Sequence, residues 1–149
     1  MLKILMIGMA FVLHTTNRLD LNSVRSGYAK AVDNKNVCSE MIRDLKPIQD
    51  NNVYLAYLGG YQTIWASHLF NPFLKLKTFN EGKKNIERAV NNDSQNTEIR
   101  LVRLSVQKNA PSFLRYESEI EEDETFIRKN ISAITHPILL KMANELLKQ

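Results

Sequence analysis

Residues 52–68, NVYLAYLGGYQTIWASH, limit what this chain can become more than any other stretch. Placed on a helix, Tyr54, Tyr57, Tyr61, Trp65 and His68 follow one another at steps of three, four, four and three, while Val53, Leu55, Leu58 and Ile64 occupy other faces. A helix that is apolar nearly all round has to be covered by neighbours. Gly59 and Gly60 in its middle each cost ~1 kcal/mol against alanine, and close approach of another helix is the reason to keep them. Such a rod needs a ring of amphipathic helices, and the rest of the chain supplies them.

Asp20 is placed to cap a helix with Leu21, Val24, Tyr28 and Ala31 or Val32 on its apolar side. Polar residues 33–36 end it and offer Asn36 as the cap of a second helix, in which Val37, Met41, Leu45 and Ile48 recur at helical spacing. Pro47 stops that helix, because the residue before a proline resists helical geometry. The aromatic helix follows and is expected to end near Phe70. Asn71 and Pro72 then form a start signal, a capping side chain before proline at the first helical position. The helix they open carries Leu76, Phe79, Gly82, Ile86, Ala89 and Val90, with Lys75, Lys77, Lys83, Lys84, Glu87 and Arg88 largely towards water. A further helix from near Thr97 sets Ile99, Val102 and Val106 on one face and Arg100, Arg103 and Gln107 on another. Ser118 and Glu121 suit a capping box before Ile120, Ile127, Ile131 and Ile134. His136 and Pro137 open a last helix with Ile138, Leu139, Met142, Ala143, Leu146 and Leu147.

Short polar turns between these segments imply consecutive antiparallel helices. With five glycines, four prolines and few alternating Val or Thr runs, little of the chain suits a sheet. The expected fold is all-α: one helical domain over residues 17–149, built of antiparallel hairpins as an α-α superhelix or as a compact bundle of about six helices.

Residues 1–16, MLKILMIGMAFVLHTT, precede that domain. Lys3, an unbroken apolar run over residues 4–13 and then short polar residues give the order of a secretory signal peptide, with a core too short to span a bilayer comfortably. Thr15 and Thr16 are passable at the cleavage site. No cysteine follows the run, which excludes a lipoprotein anchor there. The expectation is export to the periplasm or the exterior without a stable membrane span once the leader is removed; the alternative is a first core element of a cytoplasmic domain.

The 149 residues fit one domain able to bury a core without staples, and 44% hydrophobic with 24% charged residues argues against disorder. The net charge of +4 is spread among nearly as many acids as bases, so nucleic acid is not an expected partner. Cys38 is alone, which excludes an internal disulfide and a Cys-rich metal site. Val37, Met41 and Ile42 around it read as the setting of a small buried hydrophobe rather than a reactive thiol.

The segment GKKNIERAVNNDS, residues 82–94, resembles the second helix of a tetratricopeptide repeat: small at Gly82, large and apolar at Ile86, small at Ala89, then a polar turn with Asp93 and Ser94. Leu58, Gly59 and Tyr61 echo the first-helix element with one residue too few, and the distance from them to Gly82 is too long. Arg100 and Arg103 stand where the family places apolar residues. The likeness covers about a tenth of the chain, and implies a stacked helix pair presenting a concave surface to a peptide or protein.

No Ser, His and Asp arrangement, phosphate-binding glycine loop or paired-carboxylate motif stands out, and no cofactor is expected. His68 and His136 have no companions at metal-ligand spacing. The acidic residues Glu117, Glu119, Glu121, Glu122, Asp123 and Glu124 lack the alternation and turn glycine of a calcium loop and read as a solvated helix start, with Glu124 facing Arg128. The candidate binding set is Tyr54, Tyr57, Tyr61 and Trp65 with Arg100, Arg103 and Gln107. In one groove, rings supply rigid contact area and guanidinium groups recognise carboxylates or backbone. Replacing Arg103 with Glu would then abolish partner capture and leave the fold intact. The competing assignment for all seven is core packing and solvated polar faces. The resulting expectation is a non-catalytic exported module that binds a protein or peptide; the alternative is a small-ligand carrier or minor enzyme with a pocket between helices.

Overall fold

A computed structural model describes residues 19–148, and among these the chain is all-α. Seven α-helices follow in order: α1 (Leu21–Lys30), α2 (Lys35–Leu45), α3 (Asn52–His68), α4 (Pro72–Asn92), α5 (Thr97–Asn109), α6 (Ile120–Asn130) and α7 (Pro137–Leu146). Short 3-10 turns at Ser112–Leu114 and Ile131–Ala133 flank α6. The segment read as a leader, residues 1–16, lies outside the described residues.

Asparagine starts four consecutive helices. Asn34, Asn51, Asn71 and Asn96 each precede a helix, and each side-chain oxygen accepts two of the otherwise orphaned first-turn N–H groups. Asp20 does the same for α1 with a single backbone N–H, that of Ser23. The cap of α2 is thus Asn34, not Asn36: the Asn34 oxygen takes the N–H groups of Asn36 and Val37, both at 3.1 Å. The capping box at α6 does not form. Glu119 occupies the cap position without a side-chain bond, and the Ser118 hydroxyl donates to the Glu119 carboxylate at 2.5 Å.

Helix α3 is the buried rod. Leu55, Ala56, Tyr57, Leu58, Gly59, Gly60, Tyr61, Thr63 and Ala66 are all inside. It is most intimately paired with α4, running antiparallel: Asn92 donates to Asn52 at one end, and further along Asn85 donates to Gln62 and Gly59 meets Gly82. A Cβ at Gly59 would lie 2.5 Å from the Gly82 carbonyl oxygen, and one at Gly82 equally close to the Gly59 carbonyl. Two backbones in contact leave no room for a methyl group on either helix. Gly60 is covered from the other side by the Tyr28 ring of α1. Helix α1 lies parallel to α3, since Tyr54 donates to the Leu19 carbonyl, Tyr61 to that of Val24, and His68 Nε2 lies 2.8 Å from that of Ala31.

The main core is gathered around α3 by α1, α2, α4 and α5. A second, smaller core joins Leu101 and Leu104 of α5 to Ile127, Leu139, Ala143 and Leu146 of α6 and α7. Helix α5 therefore has two apolar faces, with Ile99, Val102 and Val106 turned to the first core and Leu101 and Leu104 to the second.

Candidate interaction surface

Five of the seven residues expected to line one groove are divided between two interior clusters. On the α1 side, Tyr57 and Tyr61 are buried and meet the Tyr28 ring edge to face, each at 5.3 Å between centroids. The Tyr57 hydroxyl donates to Glu98 at 2.9 Å, and that carboxylate also takes two bonds from Arg25, at 2.7 and 2.6 Å. Burial pushes the phenols of Tyr28, Tyr57 and Tyr61 up, Tyr28 to about 12. Tyr54 and Trp65 are half-buried at the rim. Trp65 packs beside His68, and Lys35 sits over its ring at 5.2 Å.

Arg100, Arg103 and Gln107 are also buried, but they face α6. Asp123, 0% exposed, takes two bonds from Arg103 at 2.7 Å and one from Arg100 at 2.8 Å. Arg100 further reaches the Ser94 carbonyl and Glu122, and its guanidinium lies over the Phe126 ring at 4.4 Å. Arg103 also bonds Glu87, which accepts the Tyr116 hydroxyl, and Gln107 donates to Glu119 at 2.9 Å. Burial works against the Arg103 charge, but the bonds and charge of Asp123 outweigh it and hold the guanidinium above its usual range.

The groove expectation is corrected on these points. The arginines are consumed by internal carboxylates, and a buried charge without such a partner would be prohibitively costly. Asp123, expected among solvated acids, is their common anchor. Glu124 does approach Arg128, at 4.0 Å, but its closer partner is Lys108.

What remains available to a partner is a surface the sequence pattern did not mark. Helix α3 stops at His68, not near Phe70, and α4 begins at Pro72. Residues 70–77 are all exposed, including Leu76, which was expected on the buried stripe. Phe70 is 96% exposed and Phe73 76%, with Leu74 and Leu76 beside them. The reason is length: α4 has 21 residues and α3 17, so α4 extends beyond its partner by about one turn. Asn71 holds this overhang in helical form, accepting from Phe73 and Leu74 at 2.9 and 3.1 Å. Val32, also exposed, follows the Ala31 carbonyl that His68 contacts, which places it at the same end of the bundle.

The same end is basic. No Asp or Glu occurs between Asp50 and Glu81, whereas Lys75 and Lys77 lie on the overhang and Lys30 and Lys35 flank Val32, with Asp33 the one acid among them. A carboxylate-free stretch spanning a helix and half of the next was the signal that could have pointed to this end.

Two surface hollows lie elsewhere. One, of about 360 Å³, lies between α1, α5 and the start of α7 and is lined by Arg25, Glu98, Leu101, Thr135 and His136; the other, of about 400 Å³, lies by Arg128 and Asn144. Neither includes Trp65 or Arg100. Comparison with protein-family models finds no match, and no curated protein or solved structure matches the chain.

Proposed function

We propose that this chain is a non-catalytic helical interaction module that engages its partner through the projecting turn between α3 and α4. The observation that carries this reading is the exposure of Phe70 and Phe73 beside Lys75 and Lys77 on a helix end that nothing among the described residues covers. Folded chains rarely leave large aromatic side chains grouped in water without a use for them. Aromatic anchors contribute most of the energy at binding surfaces. Action outside the cytoplasm belongs to the same reading and rests on the order of residues 1–16. The repeat-like pairing of α3 with α4 is likewise part of it, resting on Gly82, Ile86 and Ala89 and on the meeting of Gly59 with Gly82.

A photo-crosslinking phenylalanine analogue at position 73, introduced in the source cell, tests the reading against the same analogue at exposed Thr125 on α6. Adducts are expected from position 73 and not from 125. Equal labelling from both positions, or none from 73, would remove the basis of the proposal.

A further inference from the structure

The shape and charge of the overhang narrow the partner's chemistry. The apolar residues form a convex tip, not a groove. On the first turns of α4, Phe73, Leu74 and Leu76 spread over an arc of about 160°, while Lys75 points to the opposite side and Lys77 lies about 6 Å further towards the body than Phe73. A rigid protein partner would need a deep socket to cover such an arc. A fluid acyl layer closes around it without one.

The lysines stand where phosphate groups would meet them. Lys75 and Lys77, with Lys30 and Lys35 at the rim, are exposed, and none of the four is in an ion pair among the described residues. Lysine stems extend along apolar surface and keep the ammonium at the polar boundary. Aromatic and leucine side chains below a collar of lysines match the depth profile of an anionic bilayer surface. Six of the chain's acids fall in residues 117–124 on and before α6, and Asp33 is the one acid among Lys30, Val32 and Lys35 at the rim of this end. The molecule thus has one end suited to a negative surface. Among the described residues no helix is long and apolar enough to cross a membrane, so attachment through the tip would be peripheral.

We propose that the α3–α4 tip seats this chain on an anionic lipid bilayer, with Phe70, Phe73 and Leu74 at the boundary of headgroups and acyl chains and Lys75, Lys77, Lys30 and Lys35 at the level of the phosphates. This rests on the reading of the tip as the docking surface.

Co-sedimentation of the full chain with vesicles tests it, comparing phosphatidylglycerol mixed into phosphatidylcholine with phosphatidylcholine alone. Binding is expected to the anionic vesicles and to weaken with added salt. The double variant F70S/F73S should lose about tenfold or more in partitioning. K75E/K77E should abolish the preference for anionic vesicles while K75R/K77R retains it. Because these residues are exposed, each variant should keep the parent's urea midpoint. Failure to sediment with anionic vesicles, or undiminished binding by F70S/F73S, overturns the inference. Self-association that F70S/F73S dissolves, without vesicle binding, overturns it in favour of a second copy of the chain. Protein adducts from position 73 with no vesicle binding overturn the lipid assignment alone; no adducts and no binding overturn both proposals.

Discussion

The carbonyl oxygens of Gly59 and Gly82 each occupy the space where the other residue's Cβ would stand, so the two helices touch backbone to backbone. Alanine at either position favours the helix by ~1 kcal/mol in propensity. It also drives a methyl group into a main chain that cannot swing aside, and overpacking of this kind costs roughly 1–3 kcal/mol or more. The loss prevails. G59A and G82A should each lower the urea midpoint, and G27A less so, because there the nearest obstacle is the terminal hydroxyl of Tyr61. Equal midpoints for all three variants and the parent would show that the helices can part at no cost.

Asp123 is the one carboxylate shared by two buried guanidinium groups, and D123A leaves each without its most deeply buried partner. Removal of one member of a buried ion pair costs about 3–5 kcal/mol, the range expected for D123A in chemical denaturation. R103E, which a groove would have tolerated, should be at least as damaging, since it sets a second carboxylate against Asp123. E122Q should change stability by less than about 1 kcal/mol, because Glu122 is largely exposed and solvent screens its pairing with Arg100. An unchanged denaturation midpoint for D123A would refute the role of Asp123 in fastening α6 to α5.

Four of the five tyrosines, Tyr28, Tyr57, Tyr61 and Tyr116, have phenols raised above their ordinary value of 10.0, chiefly by burial. Tyr57 and Tyr116 also donate to carboxylates, which favours the neutral form. The fold therefore holds the protonated phenol more tightly than the unfolded chain does. Its contribution is complete below pH 10 and is lost as pH rises through the folded values, from about 12 for Tyr28 upward. Tyrosinate absorbance and helical circular dichroism should change together above pH 10, in one cooperative step. Ionisation of all four near pH 10 with the helices intact would contradict their placement.

The rod α3 was legible because an all-round apolar helix has one physical solution, and Asn71 with Pro72 marked the start of α4 unambiguously. Four other features misled for identifiable reasons. Arg100, Arg103 and Gln107 recur at steps of three and four, the spacing of a buried stripe, yet charge suggested solvent. Asp123 lies between Ile120 and Ile127 on the apolar stripe of α6, so a carboxylate at a core position was visible, but nothing local connects it to arginines some 20 residues earlier. The overhang escaped notice because helical periodicity assigns Leu76 to the inner face without knowing where the neighbouring helix stops. Burial there depends on the relative lengths of α3 and α4, a tertiary quantity. Asn34 and Asn36 are equally good caps, and only the path of the backbone chooses between them.

Helix α5 serves both cores at once, and this makes the last third of the chain inseparable from the first two. Cut after residue 116, the remaining protein would bare Leu101 and Leu104 to water on one flank and leave Arg100 without a carboxylate and Arg103 with Glu87 alone on another. Such a fragment would be sticky and partly melted rather than a smaller working unit. Any evolutionary trimming or engineered shortening of this chain must therefore leave both α6 and α7 in place.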